Sequence, residues 1–160
     1  MLMSMSFRHV LPLVIVSLVL GVVAAGVVHA QTLMGTPRAD ELHGTPGPDV
    51  INGRGGDDHI YGGAGNDRLN GGPGNDVIAG DAGNDRINGG PGDDTLLGGA
   101  GNDRITGGPG SDQVFGGAGN DIINVRDGEI DTVHCGSGRD RVIADPQDVV
   151  GRDCEIVERG

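Results

Sequence analysis

Nine residues, repeated ten times without a gap between residues 35 and 124, decide what this chain can fold into. The fullest copies read GGAGNDRLN (62–70), GGPGNDVIA (71–79) and GGAGNDRIT (98–106). Glycine opens every copy, aspartate stands sixth in all ten, and Ile, Leu or Val stands eighth. A unit this short cannot bury a core alone, so the copies must stack on one another. A glycine-rich turn followed by a strand with one inward aliphatic suits a parallel coil.

A second period lies inside the first. From Gly55 onward the third position reads Gly55, Ala64, Pro73, Ala82, Pro91, Ala100, Pro109 and Ala118. This alternation has a period of 18, as a coil needs when each turn uses two copies and copy i stacks on copy i+2. Leu42, Ile51, Ile60, Leu69, Ile78, Ile87, Leu96, Ile105, Val114 and Ile123 then form two aliphatic columns facing each other. Their neighbours at positions seven and nine point outward, because side chains alternate along a strand. Five turns at ~4.7 Å per strand predict a body on the order of 24 Å long. Asn-Gly pairs such as Asn70-Gly71 suggest hairpins locally, but the uniform spacing leaves no paired arms. Collagen is excluded by the lack of a three-residue period.

Composition says what must hold such a coil together. Beyond residue 30 the aromatic residues are Tyr61 and Phe115, too few for an ordinary globular core. There, 23 carboxylates face ten arginines and no lysine, a formal charge of −13, which disfavours a nucleic-acid partner. Aspartate outnumbers glutamate 19 to 4, as tight turns around a hard cation would require. The sixth-position aspartates fall into two files one strand spacing apart, where like charges repel by about 1 kcal/mol even in water. A cation taking six to eight carboxylate and carbonyl oxygens removes that conflict, which is calcium chemistry. Zinc would want His or Cys, which the turns lack. Turn capping by the aspartates alone is the bland alternative, but ten in register, nine of them two places after a glycine, argue against it.

The GGxGxDx(aliphatic)x pattern resembles the hemolysin-type calcium-binding repeats of repeats-in-toxin (RTX) proteins, best over residues 44–124. The resemblance implies an all-β, calcium-stapled parallel β-roll with ions held between turns i and i+2. Its binding aspartates would be Asp49, Asp58, Asp67, Asp76, Asp85, Asp94, Asp103, Asp112 and Asp121, with up to eight ions. Arg38 and Ala39 replace turn residues in the first copy, so residues 31–43 are expected to form an N-terminal cap. Better-known members are large, lack cysteine and carry a lytic or enzymatic domain upstream. This chain departs from them, so toxin or protease activity is not carried over.

Residues 1–30 read as a secretory signal ending at Val28-His29-Ala30, with an uncleaved anchor as the alternative. Cys135 and Cys154, an even pair behind such a leader, predict one disulfide. After Asn124 the pattern degrades; residues 125–160 are expected to be degenerate repeats and a disulfide-closed C-terminal cap, with Asp140 a weaker ligand candidate. Outward columns include Arg68, Arg86 and Arg104, an asparagine file, and a Tyr61–Phe115 stripe. The arginines either grip an anionic glycan or balance nearby aspartates.

The reading is a secreted calcium-binding repeat protein that folds on binding calcium outside the cytoplasm, with no membrane contact once the leader is removed. Its role is structural or interactive. The alternative is a cell-surface adhesin or surface-layer component that binds envelope polysaccharide, or itself, through the roll faces. No HExxH, GxSxG or similar constellation occurs, so an enzyme is not expected.

Overall fold

The computed structural model describes residues 29–160; all but the last two residues of the leader read at 1–30 lie outside them. Fifteen short strands follow in chain order: β1 (Thr32–Met34), β2 (Glu41–His43), β3 (Val50–Asn52), β4 (His59–Tyr61), β5 (Arg68–Asn70), β6 (Val77–Ala79), β7 (Arg86–Asn88) and β8 (Thr95–Ala100). Then come β9 (Arg104–Thr106), β10 (Gln113–Ala118), β11 (Ile122–Asn124), β12 (Thr132–Ser137), β13 (Arg141–Ala144), β14 (Val149–Val150) and β15 (Ile156–Arg159). Odd-numbered strands make one eight-stranded sheet and even-numbered strands one seven-stranded sheet. Every pairing is parallel, with a register step of 18 residues through the repeats: Ile51 lies on Leu69, and Ile60 on Ile78. No helix of the described residues is long and apolar enough to cross a membrane.

The eighth-position residues do form the core. All ten are buried between the sheets, joined by Val125, Val133, Cys135, Val142 and Ala144. Each fully buried Ile or Leu contributes about 1.5–3 kcal/mol, and the core is only one side chain deep from each sheet.

The alternation of alanine and proline has a structural cause. On one edge of the coil Ala64, Ala82 and Ala100 pair as β-bridges. There the amides of Ala82 and Ala100 donate to the carbonyls of Gly63 and Asp81 at 2.9 and 2.8 Å. On the opposite edge Pro73, Pro91 and Pro109 have no N–H to give. Their carbonyls instead accept from Gly56, Gly74 and Gly92. One edge is thus partly strand-like and the other is turn only.

The coil is longer than ten copies alone require. Upstream, β1 adds a rung beneath β3, with Leu33 under Ile51. Downstream, residues 125–160 continue both sheets through β12 to β15. One inserted residue lengthens the step to 19: Val133 sits on Val114, and Val142 on Ile123. Shorter returns then place Val150 on Val133 and Val157 on Val142. Eight rungs in the longer sheet extend the body to about 33 Å. The closing element is thus the end of the coil itself, stapled by the predicted Cys135–Cys154 disulfide across 5.2 Å between Cα atoms.

Candidate metal centre

The turns position the aspartates. Gly83, in fourth place, adopts a φ of 144°, and a Cβ there would stand 1.3 Å from the carbonyl oxygen of Gly65 one rung below. No side chain fits that position. Three residues later the chain re-enters a strand, and the intervening bend turns the sixth-position side chain inward.

Asp49, Asp58, Asp67, Asp76, Asp85, Asp94, Asp103, Asp112 and Asp121 are all buried to about 1% exposure or less. They form the two expected columns, and each column is a hydrogen-bonded ladder. The amides of Asp49, Asp67, Asp85 and Asp103 donate to Oδ1 of Asp67, Asp85, Asp103 and Asp121 at 2.7–2.8 Å. On the other edge Asp40, Asp58, Asp76 and Asp94 donate likewise to Asp58, Asp76, Asp94 and Asp112 at 2.8–2.9 Å. Spacing alone suggested bare carboxylates facing one another. Instead half of each carboxylate is held by the backbone.

The other half is not. Oδ2 of Asp58, Asp67, Asp76, Asp85, Asp94, Asp103, Asp112 and Asp121 is buried without a hydrogen-bond partner, as are those of Asp131 and Asp140. Beside each Oδ2 in the repeats lies the first-position glycine of the same copy. A Cβ built on Gly62, Gly80 or Gly98 would stand 2.5–2.7 Å from the Oδ2 of Asp67, Asp85 or Asp103. It would also stand 2.4–2.8 Å from the carbonyl oxygen of Gly80, Gly98 or Gly116 on the next rung. A glycine-lined space therefore gathers an unsatisfied carboxylate oxygen and a main-chain oxygen. That donor set is all oxygen, as a hard divalent cation requires. Among the described residues no three His, Cys, Asp or Glu side chains converge on one point, so any ion must draw on carbonyls as well.

The ends of the columns differ. Asp49 stands in line, but its Oδ2 already accepts from the hydroxyl of Thr45 at 2.9 Å, because copy two has Thr where six of the eight later copies have Gly. Asp40 is held in the same way by Thr36. At the other end Asp112 and Asp121 donate to Asp131 and Asp140 at 2.8 Å, and these donate to Asp148 Oδ1 and Glu155 Oε2. Buried Val125 and Cys135 take the first position there, filling the place a glycine leaves open. Asp148 and Glu155 were not legible from the repeat pattern, since the register beyond Val133 departs from 18.

Burial sets the electrostatics. Removal from water pushes Asp85, Asp94 and Asp131 up to about 7, and Asp58, Asp112 and Asp121 up to about 6. The backbone bond to Oδ1 pulls the other way, and neighbouring carboxylates in the column add to the rise. Asp67, Asp76, Asp103 and Asp140 are raised for the same leading reason.

A parallel coil with inward acids and glycine-lined oxygen sites on both edges is a β-roll of the calcium-binding class. Residues 34–123 match the RTX calcium-binding nonapeptide repeat in four overlapping copies, 34–69, 61–96, 70–105 and 88–123, and the chain belongs to that family. No curated protein matches the chain.

Proposed function

We propose that this protein is a secreted calcium-responsive module that winds into its roll as calcium enters the turns, and that its work outside the cytoplasm is structural or interactive rather than catalytic. Asp58, Asp67, Asp76, Asp85, Asp94, Asp103, Asp112 and Asp121 would supply the carboxylate oxygens, with glycine carbonyls beside the first six and the Cys135 carbonyl beside Asp121. Asp49 would join them only by releasing Thr45.

The unpartnered Oδ2 atoms carry this reading. Leaving a buried acceptor unsatisfied costs roughly 1–3 kcal/mol, so the eight in the repeats cost at least ~8 kcal/mol, comparable with the whole stability of a domain at about 5–15 kcal/mol. A cation turns that deficit into binding energy, and its binding becomes folding energy. Extracellular calcium modules work at affinities of about 10⁻⁴–10⁻³ M, which would keep the chain unwound until export. The disulfide is compatible with an oxidising compartment.

The test is circular dichroism of the secreted protein during calcium titration. A cooperative gain of β signal that chelator reverses is expected. Full order in metal-free buffer at neutral pH would overturn the reading. A second reading, a surface adhesin, draws support from the regular outer ladders, in which Asn88 Nδ2 donates to Asn70 Oδ1 at 2.6 Å. Retention of the protein on cell-envelope polysaccharide would favour it.

A further inference from the structure

On the outer face of the eight-stranded sheet Arg68, Arg86 and Arg104 stand in register on β5, β7 and β9. All three are exposed, and none forms a side-chain hydrogen bond or ion pair with another described residue. None of the three pairs directly with an aspartate, and the acids of the two columns lie inside the coil. Two residues along each strand, Asn70, Asn88 and Thr106 form a neutral column. The two columns line a shallow groove of about 410 Å³ that spans four rungs.

A fourth arginine in the same file indicates what such a guanidinium takes. Arg141 follows Ile122, which follows Arg104. Its Nε and Nη2 donate to Oε1 and Oε2 of Glu158, each at 2.9 Å. Glu158 lies on the next rung, opposite Ile143, in line with the neutral column. It occupies, relative to Arg141, the place that Asn88, Thr106 and Asn124 occupy relative to Arg68, Arg86 and Arg104. Three arginines thus meet neutral groups where the fourth meets a carboxylate fork.

We propose that the Arg68–Arg86–Arg104 strip binds a linear acidic polysaccharide, a polymer of uronic acids laid along the coil axis. Its carboxylates take the bidentate geometry that Glu158 takes on Arg141. Its hydroxyls meet the Asn and Thr column, which offers neutral donors and acceptors. Guanidinium groups recur at about 4.8 Å along the axis, so contacts to one polymer reinforce each other. A single-stranded nucleic acid fits less well. It would need aromatic faces for its bases, and Tyr61 and Phe115 stand on the other sheet. The inference rests on the calcium reading in one respect: ions in the turns offset the acid columns, so a polyanion can approach a chain with this net charge.

The experiment is calorimetric titration of short polygalacturonate oligomers into the secreted protein at fixed calcium, with circular dichroism of every sample. Saturable binding is expected. Arg86→Gln should weaken it by about tenfold or more, since a charge-assisted pair is lost. The triple variant Arg68→Gln/Arg86→Gln/Arg104→Gln should abolish it, while Arg152→Gln leaves it unchanged. Neutral dextran should not bind. Absence of binding by folded wild type, wild-type affinity in the triple variant, or equal affinity for single-stranded DNA or dextran sulfate would each overturn the proposal. If dichroism detects no calcium-dependent folding, the calcium reading fails separately, and the same titration on the ordered protein still decides the strip.

Discussion

At the scale of single residues, the fourth and first glycines do different work. The fourth gives the turn its left-handed backbone and lets successive rungs touch; the first leaves room beside the carboxylate. Gly83→Ala should therefore be among the most damaging changes, since its Cβ would meet the Gly65 carbonyl at 1.3 Å in a backbone with φ near 144°. A loss of at least about 2 kcal/mol is expected, read as a fall in the urea midpoint of the calcium-loaded protein. Arg54 offers the opposite case. It occupies a second-position site at a φ of 80°, where most copies have glycine. Arg54→Gly should raise the same midpoint, because left-handed backbone costs a side chain about 1–2 kcal/mol, of which glycine's greater chain entropy returns only part.

At the scale of elements, the end of the coil depends on its staple. β14 has only two residues, the register steps into β14 and β15 are irregular, and much of their surface is exposed. The Cys135–Cys154 bond ties Cys135, inside the core, to the segment leading into β15. Replacing both cysteines with alanine should cost about 3 kcal/mol by loop entropy. Hydrogen exchange should localise the loss to residues 140–160 and leave β5 to β9 protected. The repeats made most of this fold legible: two copies per turn, the aliphatic columns and the two files of acids follow from period and spacing, and the disulfide from an even pair of cysteines behind a leader. The rungs outside the repeat were not legible. Leu33 lies in no recognisable copy, and Val150 and Val157 sit at steps of 17 and 15 that no single period encodes. Nor could spacing reveal that each carboxylate gives one oxygen to the backbone, since that depends on the turn's orientation.

At the scale of the whole molecule, the proposed placing of calcium on the buried carboxylates would make it compete with protons there, and stability should then show two opposite pH dependences. An unfolded aspartate titrates near 3.9, whereas Asp85, Asp94 and Asp131 in the metal-free roll titrate at about 7, and Asp58, Asp112 and Asp121 at about 6. Between those values the folded chain holds more protons than the unfolded one. Linkage then makes stability fall as pH rises. The contribution is complete below about pH 4 and is lost as pH passes through 6 and 7. Without calcium, the roll should thus be most ordered in mild acid and melt toward neutrality. On the proposed placing calcium takes the ionised form, so its binding should release protons and tighten as pH rises through the same window. Thermal melts from pH 4.5 to 8, in chelator and in millimolar calcium, should give Tm values that fall with pH in the first series and rise in the second. Parallel slopes in the two series would mean that the ion sits elsewhere than on these aspartates.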